Sequence, residues 1–192
     1  MNKYFQKTEL KPIYTVFFIL VIAFACLTYF HELTKAVVGI GLEDFGNYYF
    51  YSKAIWLNHN IYTMDGATLE RLRISFSMPA FTHPTGHSPA FFFLVRPITF
   101  FDFESACRIW LILNSLLLFV SFFIILKLTC EKLPDAERNF IAASSLFMVF
   151  SFQPLIENMY NGQNNILVLF FFVLSLYFLR EKKSILSGVM LA

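Results

Sequence analysis

The sequence predicts an all-α, polytopic integral membrane protein: a bundle of spanning helices with one long external loop that carries interfacial helices. Three observations lead there. Hydrophobic residues make up 57% of the 192-residue chain and charged residues only 15%, against about 45–50% and about 25% in soluble domains. Too few charges remain to cover a water-facing surface. Apolar runs of 17 to 20 residues recur along the chain, close to the ~20 that cross a bilayer as a helix. Lys and Arg are also shared unevenly between the segments joining those runs. The same composition excludes a soluble globular domain and a disordered tail. A formal charge of +2 with scattered basic residues offers no phosphate-binding stripe, so no nucleic-acid partner is expected.

The runs can be taken in order. Ile13–Phe30 has 18 residues and no charge, Cys107–Leu126 has 20 with Arg108 near its start, and Phe140–Ile156 and Gln163–Leu179 have 17 each. A further run opens at Ser184 and meets Ala192 after nine residues, with no cap or aromatic anchor at its end. Residues 1–192 therefore read as the N-terminal part of a longer transmembrane domain. Pro89–Phe101 is apolar but has only 13 residues, about 20 Å as a helix against a hydrocarbon core ~30 Å thick. It carries Arg96 and Pro97 at its middle, so it reads as re-entrant or interfacial.

Orientation follows from the cations. If Pro89–Phe101 does not cross, one side receives Lys3, Lys7, Lys11, Lys127, Lys132, Arg138, Arg180, Lys182 and Lys183, nine of the 15 basic residues, all in short segments. The other side receives Lys35, Lys53, Arg71, Arg73, Arg96 and Arg108 over a long stretch, where charge has little influence on translocation. The expected arrangement is a multi-pass protein of the cytoplasmic (plasma) membrane, its N-terminus cytoplasmic and His31–Ser105 outside. Reading Ile13–Phe30 as a cleaved signal is disfavoured, because the apolar core is too long and no small-x-small site follows. Ala23-Phe24-Ala25 ahead of Cys26 is likewise a poor lipoprotein box. Cys26, Cys107 and Cys130 lie in or beside apolar runs and an odd number cannot all pair, so no disulfide framework is expected.

Chemistry-bearing residues gather in the external stretch. Glu43-Asp44 stands among glycines just after the first run, and Asn47 to Asn58 is rich in Tyr, Trp and Ile, with Lys53 among them. That composition suits a helix lying at the membrane interface. A helix N-cap is a full alternative for the acidic pair. His83 and His87 are four residues apart, but Pro84 and Gly86 interrupt any helix and no third ligand is near, so neither metal nor cofactor is expected. Glu157-Asn158-Met159-Tyr160-Asn161-Gly162-Gln163-Asn164-Asn165 is an amide-dense turn that suits either plain turn chemistry or the lining of a polar-ligand cavity.

The order of these features carries a resemblance. An apolar helix is followed by Asp44-Phe45-x-x-Tyr48-Tyr49, Ala54 and Asn60-Ile61-Tyr62. Then come Ser88-Pro89-Ala90-Phe91 reaching Arg96-Pro97, Trp110 and Asn114 within a helix, and Gly162-Gln163-x-Asn165 opening another. This resembles the N-terminal half of the GT-C superfamily of polytopic glycosyltransferases, in particular glycosyltransferase family 87, which includes polyprenol-phosphate-mannose-dependent mannosyltransferases. His87-Ser88-Pro89 departs from the family's usual Tyr-Pro-Pro-like start to the interfacial segment.

The resemblance implies transfer of a hexose such as mannose from a polyprenyl-phosphate sugar donor to the hydroxyl of a lipid or glycan acceptor on the external face. It puts Asp44 at the family's acidic position as general base, with Glu43 its neighbouring competitor. It implies a substrate-binding set of Glu43, Tyr48, Tyr49, Lys53, His83, His87, Arg96, Gln163 and Asn165. Partners for the departing phosphate would come from Lys53, Arg71, Arg73, His83, His87 and Arg96. The rival readings are a non-catalytic transporter or scaffold fragment, which would prefer ionisable residues inside the runs, and an inactive truncated transferase.

Overall fold

The structure, a computed structural model, describes residues 15–16, 19–31, 34, 43–78 and 89–191. Among them are helices and turns but no strand. Helix α1 is Ile19–His31. Next come α2 (Glu43–Trp56), α3 (Gly66–Ser75) and α4 (Pro89–Val95), the last running on into a 3-10 turn at Arg96–Phe100. Five more follow: α5 (Phe103–Cys130), α6 (Asp135–Ser151), α7 (Gln153–Asn161), α8 (Asn165–Arg180) and α9 (Ser184–Leu191).

Helix α5 is the axis of the molecule. Its start is fixed by Asp102, whose carboxylate accepts from the Ser105 N–H at 3.0 Å, and by a Glu104–Arg108 ion pair one turn on. Twenty-eight apolar-rich residues give about 42 Å of helix, enough to cross the bilayer alone. One face buries Ala106, Trp110, Asn114, Leu118 and Ser121. The opposite face leaves Ile112, Leu116, Val120 and Phe123 exposed, as lipid contact requires. At its far end the Arg180 guanidinium pairs with Glu131 and donates to the carbonyls of Lys127 and Leu128 at 3.2 and 3.1 Å. These bonds use carbonyls that the end of a helix leaves without partners and tie α8 to α5.

The expected run Phe140–Ile156 is divided between two helices. Pro154 sits in the first turn of α7, where its missing N–H does no harm, and Phe152 turns out to an extended backbone at φ −81° and ψ 102°. Helices α6 and α7 consequently meet at a 53° bend. Helix α8, at 16 residues, is about 24 Å long. It packs on α5 and on α9, where the Ser175 and Ser187 hydroxyls meet at 2.8 Å in a buried contact.

Two apolar clusters hold the chain together. One joins Ala25 and Tyr29 of α1 to Leu118, Phe150, Met159 and Ile166, with the Tyr29 and Phe150 rings 4.9 Å apart. The other is built around α2, where every residue from Phe45 to Ser52 is buried. Its rings pack on Phe76, Phe92, Val95, Ala106 and Trp110. The sequence reading lays this segment on the membrane surface. The helix forms as expected, but protein covers its aromatic circumference from Phe45 to Tyr51, and the exposed apolar side chains are at its end, Trp56 and Leu57, and on α4 and the 3-10 turn: Phe93, Leu94, Phe100 and, just after it, Phe101.

Candidate active site

Asp44 is the second residue of α2, and Tyr48 lies one turn further on the same face. The N-cap alternative places a carboxylate at the very start of a helix, and the described residues begin this one at Glu43. Two other aspartates show the full cap geometry: Asp65 accepts from Thr68 N–H at 2.7 Å, and Asp102 caps α5 in the same way. Asp44 is half-buried, and among the described residues it belongs to none of the ion pairs that occupy Glu70, Glu104, Glu131 and Asp135. A carboxylate at this end of a helix is favoured by the N-terminal dipole.

Tyr48 joins Asp44 to a remote part of the chain. Its buried phenol is pushed up to about 12, first by loss of water and then by the negative charge of Asp44, and a hydrogen bond from the Asn164 backbone works against both. The phenol is therefore neutral at physiological pH. The ring packs edge-on to Phe91, with centroids 4.8 Å apart, and to Trp110 at 6.1 Å. Trp110 stacks on Phe45 at 5.1 Å and donates its indole N–H to the Gly162 carbonyl at 2.9 Å.

That bond holds the amide-dense turn against α5, beside the Phe45 ring of α2 on which Trp110 stacks. Gly162 ends α7 in the left-handed conformation, φ 70° and ψ 29°, which glycine adopts without the Cβ penalty. Beyond it the Gln163 Oε1 accepts from Asn158 Nδ2 at 2.8 Å and Asn165 Nδ2 at 3.0 Å. The Oδ1 atoms of Asn47, Asn114 and Asn158 are buried without a hydrogen-bond partner. Buried acceptors of this kind are costly unless a donor reaches them, and sugar hydroxyls are such donors. Below the turn, a cavity of about 450 Å³ extends between α5, α6, α7 and α8, apolar along Leu118, Met148, Phe152 and Leu169, with Asn158 and Asn165 at one end.

The expected site residues thus separate. Asp44, Tyr48, Gln163 and Asn165 gather around one corner. Tyr49 and Lys53 occupy the other side of α2: nine residues separate Asp44 from Lys53, which is about 14 Å of rise and half a turn of rotation. Tyr49 donates to the Phe101 carbonyl at 2.8 Å and accepts from Lys53 at 2.9 Å, while Arg96 stacks on Trp56 with 3.2 Å from Cζ to the ring centroid. Arg71 and Arg73 are used within α3: Arg71 bonds Ala67 and Thr68, and Arg73 bonds Glu70 and the Met78 carbonyl. His83, His87 and the side chain of Glu43 lie outside the described residues. Among those described, no group of His, Cys, Asp and Glu could hold a metal. The substrate set read from the sequence omits Asn158, Asn114 and Asn47. For Asn47 and Asn114 the signal available was an amide inside an otherwise apolar or aromatic run, where each needs a partner, whereas Asn158 lies in the amide-dense turn read from the sequence as suiting a polar-ligand lining.

The profile of glycosyltransferase family 87 matches residues 85–192, from just before α4 to the end of the chain. The match takes in Trp110, Asn114 and the Gly162 turn and leaves out α2. No curated protein and no solved structure matches the chain.

Proposed function

That this chain belongs to glycosyltransferase family 87, a membrane glycosyltransferase family whose profile matches more than half of it, is the premise from which we propose its reaction. A hexose, mannose by the family resemblance, is transferred from a polyprenyl-phosphate donor to the hydroxyl of a lipid or glycan acceptor. The reaction takes place on the external face of the membrane in a GT-C-type helical domain. Asp44 is the general base. The acceptor O–H gives its proton to the Asp44 carboxylate as the acceptor oxygen bonds to the anomeric carbon. The bond from that carbon to the phosphate oxygen breaks, and the electron pair leaves with the polyprenyl phosphate. Because phosphate is a good leaving group, no second carboxyl group is required, unlike in most glycoside hydrolysis.

The observation that carries this reading is the corner where Asp44, Tyr48 and the Asn164 turn meet, since it joins an acidic residue on α2 to the family-matched half of the chain. Tyr48 stays protonated and fixes the distance between the two parts. The buried Asn158 and Asn114 acceptors bind sugar hydroxyls, and the apolar cavity below takes the first isoprene units of the donor. The donor phosphate is stabilised by donors from the Gly162–Asn165 turn and by residues from the stretch holding His83 and His87.

The test is transfer from a polyprenyl-phosphate sugar by the intact protein, comparing wild type with Asp44→Asn, Glu43→Gln and Tyr48→Phe. Asp44→Asn should lower turnover by about 10²–10⁴-fold while the protein still inserts and binds donor. Tyr48→Phe should keep partial activity. Wild-type turnover in Asp44→Asn would refute the assignment, and collapse in Glu43→Gln alone would move the base by one residue.

A further inference from the structure

The other side of α2 ends in a second cavity, of about 370 Å³, whose walls include Lys53, Trp56, Leu57, Phe76 and Phe100. Lys53 is its cation. Its ammonium donates to the Tyr49 hydroxyl at 2.9 Å and lies over the Tyr49 and Phe76 rings at 5.1 and 4.9 Å. Arg96 stands behind the Trp56 wall, 5.7 Å from the Phe93 centroid on its other neighbour, with a buried Nε that has no hydrogen-bond partner. Neither cation belongs to an ion pair among the described residues. Two half-buried positive charges thus sit within one aromatic nest with no carboxylate among the described residues that line it, and a desolvated charge calls for a counter-charge. The hydroxyls at the cavity give their protons to the protein, Ser75 to the Leu72 carbonyl at 2.7 Å and Thr99 to the Arg96 carbonyl at 2.8 Å. Charge, and not hydroxyl donation, would hold the ligand.

The rim decides which anion. Trp56, Leu57, Phe93, Leu94, Phe100 and Phe101 are exposed by 40, 53, 54, 50, 74 and 51%. Trp56, Leu57 and Phe100 line the cavity with Lys53, and Phe93 lies beside Arg96. This apolar patch also lies at a defined depth, because Phe101 comes two residues ahead of the helix long enough to cross the bilayer. Aromatic side chains with Lys and Arg among them are the composition of a membrane–water interface. A soluble anion would leave that patch in water.

We propose that the Lys53 cavity binds the phosphate of an anionic membrane phospholipid. Lys53, which lines the cavity, neutralises the headgroup, Arg96 adds its positive charge from behind the Trp56 ring, and the Trp56–Phe101 rim rests on the glycerol and upper acyl region. This site anchors the α2–α4 unit at the interface. It stands half a turn and about 14 Å away from Asp44 along α2, so it is separate from the proposed sugar-transfer corner and does not depend on that assignment.

The intact protein, purified in a neutral detergent, would be titrated with short-chain phosphatidylglycerol, with phosphatidylcholine of the same chain length, and with inorganic phosphate. Binding would be followed by tryptophan fluorescence and by the melting temperature. Phosphatidylglycerol should quench or shift the Trp56 emission and raise the melting temperature, and phosphatidylcholine should act at least tenfold more weakly. Lys53→Gln and Arg96→Gln should each weaken binding about fivefold, given the attraction of one basic residue to an anionic surface. Lys132→Gln and Asp44→Asn should leave it unchanged. If Arg96→Gln melts too low to be measured, Lys53→Gln and Phe100→Ser decide the matter, since both residues line the cavity and each should weaken binding. Equal responses to the two lipids, or unchanged binding in Lys53→Gln, would overturn the proposal. Inorganic phosphate as effective as the lipid would overturn the lipid assignment, because the apolar rim would then contribute nothing.

Discussion

Asp44 and Tyr48 show how one turn of helix can give two polar groups linked behaviour. Burial and the Asp44 charge raise the Tyr48 phenol from its ordinary 10.0 to about 12. An unfolded chain loses that proton near pH 10, while the folded chain keeps it until near pH 12. Between those values the unfolded state binds fewer protons, so stability is fully present below pH 10 and is lost as pH rises toward 12. Tyr48→Phe removes the titrating group, at a cost of about 1 kcal/mol for the hydrogen bond to the Asn164 backbone. Its melting temperature in detergent should therefore start lower but fall less between pH 10 and 12 than that of wild type. Parallel declines would mean that the phenol ionises alike in both states. Removing Asp44 as well should shrink the difference, because its charge is the second cause of the shift. Trp110 is a separate case: Trp110→Phe would leave the buried Gly162 carbonyl without its 2.9 Å indole donor and should cost about 1–3 kcal/mol.

Among the elements, the break after α7 sets where the site is. Gly162 occupies the left-handed region at φ 70°, which costs an ordinary residue roughly 1–2 kcal/mol and asparagine less. Gly162→Ala should lower unfolding stability by about that amount, with Gly162→Asn between it and wild type. Equal losses from the two would show that the backbone conformation is not the reason glycine stands there. Gly46 in α2 is the opposite case. A Cβ there would meet the Phe103 ring at 3.8 Å and the Met78 methyl at 3.9 Å, which is ordinary contact, so Gly46→Ala should stabilise the helix by about 0.5–1 kcal/mol. These positions also show what the sequence can and cannot reveal. Helix α5 is legible because a long apolar run has few other solutions in a bilayer. The bend between α6 and α7 had a visible cause in Pro154, but a hydropathy run passes through a proline without registering it. The orientation of α2 was not legible, because Phe45, Tyr48, Tyr49, Phe50 and Tyr51 point round the whole helix and no stripe marks a protein-facing side. Pairing Tyr48 with Asn164 is a tertiary fact that neither residue's neighbours encode.

For the whole molecule, membrane topology decides whether the Asp44 corner and the Lys53 cavity face the compartment assigned to them. In the proposed arrangement the N-terminus is cytoplasmic and residues 31–105 are external. That rests on nine of 15 basic residues falling in short segments on one side, and the family match gives no direction across the bilayer. The structure supplies convenient reporters. Ala67 on α3 and Ala136 at the start of α6 are both exposed, and α5, about 42 Å long, runs between the two levels. Single cysteines would be introduced at 67 and 136 after replacing Cys26, Cys107 and Cys130, and sealed cells treated with a membrane-impermeant thiol reagent. Position 67 should label in intact cells and position 136 only after permeabilisation. Labelling of 136 from outside with protection of 67 would invert the protein and put Asp44 on the cytoplasmic side, where the proposed external transfer could not occur. Labelling of both from outside would mean that α5 does not cross. The exposed stripe of Ile112, Leu116, Val120 and Phe123 would then need a protein partner in place of lipid.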